Sequence, residues 1–211
     1  MKTKKTVWIP AGVAALVAIL LLGYYFYMSF FHGSGEVRLR TPGGVGAMRP
    51  PGGKEAGGSE EIFKTLGTVA VFFGAVSFSW FWFKKKRKSP SIWVRRTGKL
   101  LHTVHKLLGW MTLIIIVAHG IYFLITKQED NSIYTGLAGF VILLMIIGYG
   151  FFINKIRNKW MRTVHRSLVL LWVPVLLLHA GGSAITAVIA SFAVWVLVWI
   201  LERKEPIPGD R

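Results

Sequence analysis

Four histidines in this 211-residue chain fall in a matched pattern. His105 and His119 lie 14 residues apart in TVHKLLGWMTLIIIVAHGIY (residues 103–122), and His165 and His179 lie 14 apart in TVHRSLVLLWVPVLLLHA (residues 163–180). In an α-helix, 14 residues return to within about 40° of the same face and rise roughly 21 Å. Each segment therefore presents two imidazoles on one side, near opposite faces of a hydrocarbon layer about 30 Å thick. The copies share Thr-Val-His followed by a cation, Lys106 in the first and Arg166 in the second. Two such helices can hold two flat cofactors between them, and heme is the cofactor whose iron takes two axial imidazoles. The chain has no cysteine. That excludes disulfides, thiol catalysis, cysteine-ligated clusters and covalent heme attachment, so any heme here is b-type, held by coordination and packing.

The elements that position these histidines must lie in lipid. With 53% hydrophobic and 14% aromatic residues, the chain is too apolar for a soluble domain. An all-α integral membrane bundle is expected. The formal charge of +17 sits in short clusters beside apolar runs, as membrane topology signals do, and not in the pattern of a nucleic-acid surface.

Six spans follow from the hydropathy pattern. Residues 1–31 read as an uncleaved anchor helix, with Pro10 in its first turn, where a missing N–H matters least. Residues 32–61, rich in Gly and Pro, read as an extracytoplasmic connector, with His32 at its mouth as a solvated loop residue. Residues 62–201 form the expected heme-binding bundle. Its second span ends in FSWFWF, suited to an interfacial belt, and KKKRK (residues 84–88), Arg95, Arg96 and Lys99 follow. That basic run reads as a topology determinant among anionic head groups; docking of an acidic redox partner or of propionates is a second, compatible role. The third span reaches residue 126. The fourth, residues 134–153, carries Gly136, Gly139, Gly148 and Gly150, read either as helix packing or as clearance for heme, with the 14-residue interval from Gly136 to Gly150 favouring clearance. The fifth span is residues 163–180, kinked at Pro174, and the sixth is residues 184–201, with a short tail at 202–211.

The cation-rich segments alternate, which puts both termini and the two basic loops in the cytoplasm. The third and fifth spans then run parallel. His105 faces His165 near the inner surface and His119 faces His179 near the outer one, so the hemes stack between the third and fifth helices. Polar groups this deep in lipid are costly unless they are paired or functional. His102 is read as a head-group or propionate neighbour, and Lys106 and Arg166 as cations near the inner propionates.

H-[KR]-x-L at the inner end of the third span, a histidine 14 residues on followed by Gly-Ile-Tyr, and a second such pair on the fifth span together resemble the ferric reductase and NADPH oxidase transmembrane domain superfamily, over roughly residues 63–201. The resemblance implies two b hemes, on His105, His119, His165 and His179, and electron passage from the cytoplasmic to the outer face. Eukaryotic members continue into flavin and nicotinamide domains, whereas this sequence ends ten residues after Leu201. The expected donor is accordingly a quinol or a separate flavoprotein, and the acceptor is extracytoplasmic. Two other readings stay open: a cytochrome b subunit of a quinol-oxidising respiratory complex, and a non-redox heme carrier.

Overall fold

Lipid offers no partner to backbone N–H and C=O groups, so long apolar runs satisfy them internally as helices. The computed structural model describes residues 4–31, 54–84, 89, 91–156 and 158–204. They form α1 (Lys4–Phe31), α2 (Lys54–Lys84), α3 (Ile92–Thr126), α4 (Ser132–Phe152), α5 (Lys159–Ala180) and α6 (Gly182–Lys204). Each is long and apolar enough to cross a membrane. The protein is thus an all-α, multi-pass membrane chain.

Several helix ends differ from the hydropathy reading, because polar helix formers extend helices past the lipid. Helix α3 has 35 residues and is about 52 Å long at 1.5 Å per residue, well beyond a hydrocarbon layer of about 30 Å. Arg95, Arg96 and Lys99 therefore ride on its first turns and not in a loop. Helix α2 begins at Lys54, inside the expected connector; its early turns carry a Glu60–Lys64 ion pair at 2.8 Å, and Glu60 also reaches Lys127 at 3.2 Å. Helix α1 starts at Lys4, which places Pro10 in the second turn. His32 and most of the connector, residues 85–88 of the basic run, Arg157 and residues 205–211 lie outside the described residues.

Helices α2 to α6 pack as a ring. Helix α2 lies along α3, α3 touches α4, α4 lies along α5, α5 touches α6, and α6 returns to α2. Helix α1 seats on α4 and α5. Its Val7, Ala11 and Ala18 enter the same core as Ala138, Ile142 and Ile146, and the Tyr149 hydroxyl donates to the Val7 carbonyl. Small side chains bring these backbones close, which is how helices associate where lipid removes the hydrophobic drive. Helix α1 is consequently a member of the bundle.

Trp172 is the largest side chain near the middle of this core. It is 8% exposed, and its indole N–H donates to the Gly139 carbonyl at 2.9 Å. A Cβ at Gly74 would sit 3.2 Å from the same ring, so the glycine makes the seat. Trp172→Ala should lower stability by about 3–5 kcal/mol, the usual loss for a buried aromatic. Leu170→Ala, at a side chain 60% exposed, should change it far less. Thermal unfolding of both variants in one detergent checks the contrast.

Candidate bis-histidine site

Helices α3 and α5 share no extended backbone contact, yet two histidine pairs meet across the gap. His105 and His165 have ring centroids 6.4 Å apart and planes at 78°. His119 and His179 have centroids 6.3 Å apart and planes at 90°. These pairings require α3 and α5 to run parallel. All four rings are half-buried.

Each ring is held by its Nδ1 edge. His119 Nδ1 lies 2.8 Å from the Phe63 carbonyl, and His105 Nδ1 lies 3.1 Å from the Ser77 carbonyl and 2.7 Å from the Ser77 hydroxyl. His165 Nδ1 lies 2.9 Å from the Ile146 carbonyl. A carbonyl oxygen can only accept, so Nδ1 carries the proton in these three rings, leaving the Nε2 lone pair free for a metal. His179 Nδ1 meets the Thr135 hydroxyl at 3.0 Å, and that hydroxyl in turn donates to the Ser132 carbonyl at 2.7 Å. Its acceptor side then faces the imidazole, which makes His179 the same tautomer.

The separations fit one ion per pair. With a metal–nitrogen bond of about 2.0–2.1 Å and a ring centroid about 1.1 Å behind the nitrogen, two imidazoles on opposite sides of one metal have centroids about 6.2–6.4 Å apart. Among the described residues no group of three or more His, Asp or Glu side chains gathers around a common point. Zinc and copper sites built from protein alone need three or four ligands. Two facing imidazoles at this separation fall short of that count and instead suit an iron whose other four ligands come from a planar macrocycle.

Glycines set the fit from behind. A Cβ at Gly67 would fall 2.7 Å from His119 Cε1, one at Gly136 2.8 Å from His179 Cε1, and one at Gly150 3.4 Å from His165 Cε1. Gly67 and Gly136 therefore clear the imidazoles, whereas a Cβ at Gly150 would make only ordinary contact with His165, Gly139 faces Val175 and Trp172, and Gly148 faces open space. The chain matches no family model, no curated protein and no solved structure.

An internal repeat organises the site. Phe63 and Ser132, Gly67 and Gly136, and Ser77 and Ile146 are each 69 residues apart, while His105 and His165, and His119 and His179, are each 60 apart. Hairpins α2–α3 and α4–α5 are two copies of one device, in which the first helix supplies acceptors and the second supplies imidazoles. Phe63, Gly67, Ser77, Thr135 and Ile146 were not legible as site residues in the sequence. Three of these contacts are made by main-chain carbonyls, which leave no residue-type signature; the 69-residue interval between Gly67 and Gly136 is the signal that was there to find.

The remaining candidates sit at the margin. Lys106 and Arg166 are exposed, one residue beyond the inner histidines. His102 is exposed and packs on the Trp80 ring, with centroids 4.8 Å apart, without joining either pair.

Because alanine is a better helix former than glycine by up to about 1 kcal/mol, a loss caused by Gly→Ala here reads sterics and not propensity. Gly136→Ala should push His179 off its axis and cut hemin uptake from two equivalents towards one, while Gly148→Ala leaves it unchanged. Spectrophotometric titration of the heme-free protein with hemin distinguishes them.

Proposed function

We propose that this chain is a two-heme membrane cytochrome b, ferric reductase-like in its ligand arrangement, that passes single electrons from a cytoplasmic-side donor to an extracytoplasmic acceptor. The observation that carries the reading is the pair of facing imidazole sets, at 6.4 and 6.3 Å, on helices otherwise held apart. When bound, two b hemes would supply the one-electron chemistry. His105 with His165 would hold one, and His119 with His179 the other. The acceptors on α2 and α4 fix each ring's tautomer and tilt, a role such outer partners commonly play at metal-bound histidines. Between the two levels, Trp172 on α5 and Thr112 on α3, each seven residues from both histidines of its helix, are buried and keep water out.

Direction follows from charge. Arg95, Arg96, Lys99, Lys155, Lys159, Arg162 and Arg203 share the end of the bundle with His105 and His165, whereas Glu60, Glu61, Glu129 and Asp130 lie at the other end. The positive end favours the cytoplasm. Lys106 and Arg166 are exposed at the inner level, where each would offset propionate charge. A quinol or a separate flavoprotein is the proposed donor. A transient heme carrier has no need of four tautomer-fixed ligands at two depths, which favours electron transfer over carriage.

Purified protein should contain about two b hemes per chain, both low-spin, since two imidazoles would hold each iron. Because the facing ring planes stand at 78° and 90°, the low-spin EPR signals of bound heme would be strongly anisotropic. His119→Ala should remove the outer heme with partial loss of the inner. A high-spin spectrum, or unchanged heme in the variant lacking all four histidines, would end this reading.

The orientation is tested in the same cysteine-free background. Lys127→Cys should react with an impermeant maleimide on intact cells, and Lys159→Cys only after permeabilisation; both positions are exposed. The reverse pattern would reverse the direction of transfer.

A further inference from the structure

The two hairpins are copies, so a place where one copy departs from the other marks something added. At four equivalent levels the first helix of each hairpin meets an imidazole. Register assigns the Phe63, Ser77 and Ile146 carbonyls to His119, His105 and His165; all three contacts are made directly, and at His105 the hydroxyl of Ser77 itself also lies 2.7 Å from Nδ1 without standing between ring and carbonyl. The fourth carbonyl is that of Ser132, 14 residues before Ile146. Here the Thr135 hydroxyl is interposed, accepting from His179 Nδ1 at 3.0 Å and donating to Ser132 at 2.7 Å. The positions equivalent to Thr135 are Leu66, Trp80 and Tyr149. Two of these carry no hydroxyl, and that of Tyr149 donates to Val7.

Thr135 is 1% exposed and held from both ends. Asp130 Oδ1 accepts from the Ser132 N–H at 2.8 Å, which fixes the turn that presents the Ser132 carbonyl. Gly136, next in sequence, lets the His179 ring close to within van der Waals contact. The hydroxyl is therefore a pivot with one donor direction and one acceptor direction, both used.

We infer that Thr135 is a positioning residue for the outer metal ligand, carrying the polarity of the Ser132 carbonyl to His179 and so tuning the outer heme independently of the inner one. The inference rests on the two-heme reading. An acceptor on Nδ1–H makes the imidazole a more basic ligand, which favours the oxidised iron. Hydrogen bonds in series polarise one another, so the relay transmits the carbonyl's pull instead of blocking it. Removing the hydroxyl leaves a buried N–H unpaired and the ligand less basic. The iron it binds then becomes easier to reduce and less tightly held.

The test is a spectroelectrochemical titration of purified holoprotein, with hemin affinity of the heme-free form as a second readout. Thr135→Val should move one of the two redox components to a more positive potential, leave the other in place, and weaken hemin at one site by about 10- to 100-fold. Thr135→Ala should shift the same component in the same sense, and it keeps the test open if valine prevents folding. Thr135→Ser keeps the hydroxyl and should match the parent protein. Ser79→Ala removes a buried hydroxyl that donates to Ala75 and touches no histidine, so it should move neither component. Unmoved components in both Thr135→Val and Thr135→Ala, or an equal shift in Thr135→Ser or Ser79→Ala, would overturn the assignment. Parent protein without two low-spin components would instead overturn the two-heme reading beneath it, and that is measured first.

Discussion

The hydrogen bond from a histidine Nδ1–H to an acceptor on the neighbouring helix is the constraint around which this bundle is built. An imidazole in lipid with nothing on either nitrogen is a costly guest. Paired at Nδ1 it becomes a fixed wedge whose other nitrogen has one tautomer and one direction. Four such wedges in two facing pairs keep α3 and α5 apart and parallel. The close helix contacts of the protein are made elsewhere, along α2–α3 and α4–α5, because those are the contacts that bring each acceptor to its ring.

This division of labour explains the repeat. In each hairpin the first helix offers the acceptors and the second offers the imidazoles. A single hairpin leaves its imidazoles with no opposite partner, and a second copy completes each pair. The offsets of 69 residues between the first helices and 60 between the second show that the loops, and not the working levels, absorbed the change in length.

The histidines were legible because lipid makes a polar side chain conspicuous and a 14-residue interval returns to one face. The six spans were legible for the same reason. Their ends were not: at Lys54 and Ile92 the helices run on into polar residues that hydropathy treats as loop, although lysine, glutamate and arginine are good helix formers. The acceptors were not legible either, since a main-chain carbonyl looks the same at every position. Gly136 gave half the answer, announcing a close approach without saying that an imidazole was the visitor.

The seat of α1 bears on how the chain is assembled. The Tyr149 hydroxyl reaches the Val7 carbonyl across 142 residues, and α6 is needed to close the ring onto α2. Helix α1 therefore finds its seat only once α4 and α5 are in place, and the ring closes only with α6. Contacts so distant in sequence form late, as loop-closure entropy dictates. Until α6 joins, the gap between α3 and α5 has no wall on the side between α5 and α2.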